Sequence, residues 1–257
     1  MGFGYSVRTR NNFNPDSSEP FTISRSKIDL FIECKRCFYI DQRLGIKRPD
    51  TPPFSLNNAV DTLLKKEFDI YRESGAIHPL VKAYGLNAVP LKDNRMDEWR
   101  DALRNGIKFF GKENNLIIRG GVDDVWQNED SELIIVDYKA TSKSDSNAKI
   151  SLDADWQDGY KRQMEVYQWL FRQNGFKVSD TGYFFYVNGL QNKDAFNSRL
   201  DFDVSIIPYK GDTSWIPNTI IEIKKCLLGE MPKPNDNCSY CLYRKAAAIA
   251  SEKSLKK

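Results

Sequence analysis

The chain has 257 residues, 40% hydrophobic and 28% charged, which is enough apolar content to close a core and excludes a wholly disordered chain. Its longest apolar runs, such as Leu133-Ile134-Ile135-Val136, are strand-sized, which excludes a helical membrane span of about 20 residues. The net charge of +3 divides unevenly: residues 1–48 and 210–257 each hold nine basic and five acidic side chains, and the middle holds 20 against 25. Basic ends can meet a polyanion and an acidic centre can hold a divalent cation, although ordinary surface charge looks the same.

The opening Met1-Gly2-Phe3-Gly4-Tyr5 lacks the charged-then-apolar pattern of a secretory leader, so a cytoplasmic location is expected, with no membrane as partner. Residues 1–20 are polar and without periodicity, the signature of a flexible tail. Ser24 can cap a helix in which Ile28, Phe31, Ile32 and Phe38 recur at helical spacing. A loop with three prolines, Arg48 to Pro53, precedes a second helix opened by Ser55, with Leu56, Val60, Leu63, Leu64 and Tyr71 on one side and Gly75 at its end. Residues 76–95 read as irregular, and Met96–Arg104 as a short helix. A strand is expected from Leu116 through Gly120-Gly121 to Trp126, then a turn at Asn128–Ser131 and a buried strand over Glu132–Tyr138. After a polar loop, Ser142–Lys149, a long helix covers Asp155–Asn174 and closes at Gly175. Strands at Gly182–Val187 and Leu200–Ile207 and helices at Ser214–Leu228 and Tyr240–Ala250 complete a mixed α/β pattern. Residues 21–250 are expected to form one domain, with a basic tail at 251–257.

Four of the five cysteines form two C-x-x-C pairs, Cys34/Cys37 and Cys238/Cys241, about 200 residues apart. In a chain without a leader such spacing indicates a metal site before a disulfide framework. Four thiolates suit a 4Fe–4S cluster or tetrahedral zinc, and spacing does not separate them. Cys226, on an apolar helix, reads as a small core residue, and His78, the lone histidine, as structural.

Asp137-Tyr138-Lys139 closes the buried strand. Residues two apart in a strand share a face, so a carboxylate and an ammonium sit side by side at its end. The turn near Asn128 brings Asp123 close to Asp137, and the glycines beside Asp123 allow another backbone to approach. Two carboxylates and a lysine there suit a Mg²⁺ or Mn²⁺ site for phosphodiester hydrolysis. Gln163 and Tyr167, at i and i+4, point the same way from the long helix, while Met164 and Trp169 fill the core. Without the strands that pair would read as plain helix surface.

The ordered set Gly120-Gly121-Val122-Asp123, Leu133 to Lys139, and Gln163-Met164-Glu165-Val166-Tyr167 resembles the PD-(D/E)XK nuclease superfamily, specifically the RecB-like branch that includes CRISPR-associated exonucleases. Ser24 to Ile28 with Cys34, and Cys238 to Cys241 with Tyr243-Arg244-Lys245, resemble the cysteine-bearing ends of that branch. The resemblance implies an α/β, restriction-endonuclease-like core: a central mixed β-sheet flanked by helices, with N- and C-terminal helical segments joined by a four-cysteine metal site. It implies that Asp123 and Asp137 hold the metal with the Tyr138 carbonyl as a further ligand. Lys139 would orient water or stabilise the transition state, and Gln163 and Tyr167 would position Lys139 or the substrate strand. Where the branch has a histidine on an N-terminal helix, this chain offers Asp61, a hard oxygen ligand. Where iron–sulfur members have three C-terminal cysteines, this chain has Ala247 in the last position and Cys37 as the extra N-terminal thiol. The four-thiol count is preserved, and the resemblance favours the 4Fe–4S cluster over zinc.

The activity so implied is a metal-dependent deoxyribonuclease, an exonuclease acting on single-stranded ends. The basic and aromatic residues Arg25, Lys27, Lys35, Arg36, Tyr39, Arg43, Tyr243, Arg244 and Lys245 could contact DNA. Two alternatives remain open: a catalytically silent DNA-binding or scaffold lobe with a structural metal, and a Holliday-junction or restriction-type endonuclease. No feature of the sequence names a protein partner.

Overall fold

The computed structural model describes residues 7–49, 54–142 and 151–254. The outer ends of both expected tails, the Pro52-Pro53 end of the first loop and most of the polar loop after Ser142 lie outside the described residues.

In chain order the elements are β1 (Phe21–Ser24), α1 (Arg25–Glu33), α2 (Lys35–Gln42), α3 (Ser55–Ser74), α4 (Pro79–Ala83), β2 (Ala88–Pro90), α5 (Met96–Arg100) and β3 (Ile107–Gly111). They continue with β4 (Leu116–Gly120), β5 (Asp124–Asn128), β6 (Leu133–Thr141), α6 (Asp158–Gln173), β7 (Thr181–Gly189), β8 (Phe202–Lys210), α7 (Trp215–Leu228) and α8 (Ser239–Ser254). A five-stranded sheet runs in the order β2-β5-β6-β7-β8, and a three-stranded one in the order β1-β4-β3. The larger sheet is mixed: β6 and β7 are parallel, and the other neighbours are antiparallel. A parallel pair needs a crossover, and α6 supplies it. This is the expected mixed sheet flanked by helices. Among the described residues no helix is long and apolar enough to cross a membrane.

The chain divides into two compact units. The larger comprises residues 52–109 and 119–214 and contains the five-stranded sheet. Strand alternation sorts its side chains: Trp126, Ile134, Val136, Tyr138, Phe185, Val187 and Ile206 form one buried cluster with Phe68 of α3. Ile135 and Asp137 point the other way, toward α6. There Gly182 makes room for Met164, whose sulfur occupies the space a Cβ would need. Both Met164 and Trp169 are buried, as their spacing implied. His78 is structural, as read: its Nδ1 accepts the Leu80 N–H, its ring stacks on Phe68, and Nε2 meets Glu67 at 2.8 Å.

The smaller unit comprises residues 1–51, 110–118 and 215–257. Helix α7 buries Ile216, Ile220, Ile223 and Leu227, a stripe of helical period. From residue 7 onward the expected flexible tail is tied down here. Phe13 is buried, its N–H reaches the Gln42 carbonyl at 2.7 Å, and Arg8 pairs with the buried Asp41 at 3.3 Å.

Several boundaries differ from the sequence reading for local reasons. The first helix breaks at Cys34, whose extended backbone (φ −162°, ψ 101°) lets its sulfur cap α2 by accepting the Cys37 N–H at 3.4 Å. Ile32, expected inside, is exposed. Neither Ser24 nor Ser55 caps through its side chain, and Leu56 and Leu63 face solvent while Phe68 carries the burial. Gly75 does end α3, in the left-handed conformation at φ 65°. Residues 76–95, read as irregular, contain α4 and β2. The strand expected over Leu116–Trp126 is two strands belonging to different sheets, β4 and β5. Cys226 is half-buried rather than a core residue.

Candidate active site

Strand β6 sets the site. Its residues from Leu133 through Tyr138 are buried, so Asp137 is carried into the interior and Lys139 to its edge. The two side chains form an ion pair on the same strand face. Gln163 of α6 ties them to the helix: its Nε2 donates to Asp137 Oδ1 at 2.7 Å, and its Oε1 lies 3.5 Å from Lys139 Nζ. Gln163 also reaches the Tyr167 hydroxyl at 3.3 Å, and the Lys139 ammonium stands 4.5 Å from the centre of the Tyr160 ring. The strand pair and the helix pair are thus one hydrogen-bonded group.

Asp123 reaches the same place from the other side. Asp124 is level with Val136 across the antiparallel pair, so Asp123 is one step out, level with Asp137. Its Oδ2 accepts the Tyr138 backbone N–H at 2.9 Å, and its carbonyl accepts Arg100 Nε at 3.0 Å. The glycines before it permit close packing. A Cβ on Gly120 would meet the Tyr167 ring at 2.5 Å, and one on Gly121 would meet Ala102 Cα at 2.6 Å.

Asp61 comes from α3, joined to Asp123 by Lys65, a residue the sequence reading passed over. Lys65 Nζ lies 2.8 Å from Asp61 Oδ2 and 3.4 Å from Asp123 Oδ1. Burial works against the Lys65 charge, but Asp123 and Asp61 outweigh it and raise its pKa. Lys139 follows the same pattern, with burial overcome by Asp137 and then Asp123. The three carboxylates do not gather into one tight group. Among the described residues, only the four cysteines bring three or more potential ligand atoms within 4.8 Å of one another. Each acid is instead engaged by an ammonium: Lys65 for Asp61 and Asp123, Lys139 for Asp137. A cation therefore already marks the point where two of the three acids converge. Those acids offer hard oxygen donors, which fit a divalent ion of the Mg²⁺ or Mn²⁺ type.

Beneath the site lies a second feature missed in the sequence. Asp124 is fully buried and receives hydrogen bonds from five donors. They are Arg72, Arg100 Nη2 at 3.3 Å, Trp126 Nε1 at 3.3 Å, the Tyr138 hydroxyl at 2.8 Å and the Val125 N–H at 2.8 Å. Burial and the Asp124 charge push the Tyr138 phenol well above its ordinary pKa. The i, i+4 spacing of Asp61 and Lys65 was visible in the sequence. Val125 and Trp126 are its neighbours in β5, but Arg72, Arg100 and Tyr138 come from α3, α5 and β6, and no local pattern joins those three to it.

In the smaller unit the four cysteines are together and buried. Sγ–Sγ separations are 3.6 Å for Cys34–Cys241 and 3.7 Å for Cys37–Cys238, and all four are free thiols. Arg48 Nη2 lies 3.6 Å from Cys238 Sγ, and Arg244 Nη2 lies 3.7 and 3.6 Å from Cys37 and Cys241 Sγ. Burial raises the Cys37 thiol. At Cys238 burial is outweighed by the Cys241 N–H and the neighbouring thiols, bringing it to about 7. Several basic residues expected on a DNA surface have internal partners: Lys27 pairs with Asp41, Lys35 with Glu222, and Arg36 and Arg43 with the Pro232 and Leu227 carbonyls. Tyr39 is buried, whereas Tyr243 is exposed.

A mixed sheet ending in an Asp-x-Lys strand, braced by a Gln-x-x-x-Tyr helix, defines a nuclease-type core. The chain belongs to the PD-(D/E)XK nuclease superfamily, whose model matches residues 58–246. Among solved structures it is similar to the crystal structure of SSO0001, at 14% identity over 90% of this chain and 86% of that chain, with a TM-score of 0.31. No curated protein matches the sequence.

Proposed function

We propose that this chain is a divalent-metal-dependent deoxyribonuclease of the RecB-like branch, acting as an exonuclease on single-stranded ends. The observation that carries the reading is the Gln163 bridge, which joins Asp137, Lys139 and Tyr167 into one constellation. Superfamily membership supports nuclease chemistry and a nucleic-acid substrate. In this reading Asp61, Asp123, Asp137 and the Tyr138 carbonyl would hold Mg²⁺ or Mn²⁺ once the ion replaced the Lys65 ammonium between Asp61 and Asp123, and it would supply charge neutralisation and a more acidic water. The Tyr138 N–H aims Asp123, Gln163 fixes the Asp137 carboxylate, and the Lys139 ammonium stabilises charge developing on the phosphoryl oxygens. Tyr167, backed by Gly120, holds Gln163 in place. The preference for DNA ends rests on the habit of the resembling branch. Residues 21–250 act as one nuclease domain in this proposal, and the matched span draws on both units.

A second reading, a catalytically silent DNA-binding or scaffold lobe, is favoured by one observation: Lys65 already stands between Asp61 and Asp123, paired with both. Digestion of linear and circular DNA, single- and double-stranded, with Mg²⁺, Mn²⁺ or chelator separates the readings. Metal-dependent loss of linear single strands with circles spared supports the exonuclease. Cleavage of circles points to an endonuclease, and binding without cleavage under every condition points to the silent lobe.

A further inference from the structure

The resemblance brings with it an expectation of a 4Fe–4S cluster at the four cysteines, and the geometry of this chain does not fit one. Each C-x-x-C pair straddles the start of a helix. Cys34 caps α2 and accepts the Cys37 N–H at 3.4 Å; Cys238 directly precedes α8 and accepts the Cys241 N–H. Two identical knuckles thus face each other, each with its first thiol held by the backbone of its second. The outcome is a compact set of sulfurs, 3.6 and 3.7 Å apart across the two pairs and all within 4.8 Å of one another.

Size decides between the metals. A single tetrahedral ion with Zn–S bonds of about 2.3 Å has sulfurs about 3.8 Å apart, since a tetrahedron's edge is about 1.6 times its centre-to-corner distance. In a cubane the four thiolates cap separate irons and stand roughly 6 Å apart. A two-iron rhomb also spreads its outer thiolates beyond the observed span, because its pairs sit on different irons. The observed separations exceed a disulfide bond of about 2.05 Å, so they belong to neither a cluster nor a cystine. Charge does not discriminate: four thiolates with Zn²⁺, or with a cluster of charge +2, leave the same net −2. The guanidiniums of Arg48 and Arg244, on three of the four sulfurs, match that excess.

We infer that the four cysteines form a mononuclear tetrahedral zinc site, structural and redox-inert, in place of the iron–sulfur cluster. Among divalent ions that could take an all-sulfur tetrahedron, zinc lies above ferrous iron in intrinsic affinity. Bound zinc would clamp α2 to α8 and close a loop of about 200 residues in sequence. The inference is independent of the nuclease reading, since either can fail alone.

The test uses the full chain, expressed with both metals supplied and purified anaerobically so that a labile cluster is not lost. Elemental analysis should return about one zinc per chain, with iron and acid-labile sulfide below one tenth of that, in a colourless preparation. Zinc-edge X-ray absorption on the unaltered protein should show a single shell of sulfur at about 2.3 Å. This measurement needs no variant and so does not depend on whether a mutant folds. Cys37→Ser should lower bound zinc at least tenfold or leave it exchangeable with a weak chelator. A brown protein with several irons and matching sulfide would overturn the inference, as would a single bound iron, or reduced thiols with no metal.

Discussion

Asp124→Asn changes one oxygen to nitrogen at a position with no exposure at all, and its effect can be worked from the five groups around it. Every one of them donates, so an acceptor is demanded on both sides of the carboxyl group. The new amide would direct N–H bonds at other donors, and the buried Arg72 would lose its closest counter-charge. Breaking a buried pair by removing one partner costs about 3–5 kcal/mol. Asp69 remains 3.1 Å from Arg72 and 2.9 Å from Arg100, which argues for the lower end, about 3 kcal/mol. For a chain of this size that lowers the melting point by roughly 6–12 °C. Calorimetry of Asp124→Asn beside Asp69→Asn is the assay. Asp69 is partly exposed, so its loss should cost about 1 kcal/mol or less. A drop below about 2 °C for Asp124→Asn would show that the network does not brace the site.

Lys139→Ala should reduce cleavage at least about 10²-fold in single-turnover assays, the scale of losing one transition-state electrostatic partner. DNA affinity and circular dichroism should stay unchanged, and unaltered turnover would remove Lys139 from the chemistry. Lys65→Met should tighten Mn²⁺ binding by calorimetric titration, by roughly tenfold, since an ammonium between two carboxylates competes with any incoming cation. Equal affinity would mean that Lys65 and the metal do not share that space. Tyr209 donates to Glu165, and burial followed by that carboxylate raises its phenol pKa. A raised native pKa contributes stability that is fully present below about pH 10, the unfolded value, and lost as pH rises toward the native one. Urea unfolding between pH 8 and 11 should therefore show alkaline weakening, reduced in Tyr209→Phe; identical slopes for the two proteins would refute the assignment.

What the sequence disclosed, and what it withheld, follows from the range of the forces involved. The Asp-x-Lys strand was legible because a run of buried aliphatics leads directly into two charges, a pattern contained in seven residues. Gln163 and Tyr167 were legible through helical spacing. The break at Gly121 was not, because it depends on Ala102 packing where a side chain would sit, and Tyr167 doing the same at Gly120. These glycines mark the place where the chain passes from one sheet to another, which looks like an uninterrupted strand when read along the chain. The Cys34 break was hidden for a similar reason: helical periodicity continued across it, while sulfur capping set the backbone. Asp124 was invisible as a core residue because a buried charge is acceptable only with its distant partners in hand. The separation of the three acids could not be read either, since Lys65 and Lys139 compete for them only once the chain has folded.

The adjacency of Asp123 and Asp124 has a consequence for how this stretch can vary. Successive residues near a strand face different surroundings, and here one acid meets the Tyr138 backbone while its neighbour meets the buried arginines. Inserting a single residue between Asp124 and Trp126 would move Asp124 into the place of Asp123 and set the inserted residue before the arginines, which would then lack their carboxylate. A change of length here would thus remove the counter-charge of the arginines as surely as replacing Asp124 itself.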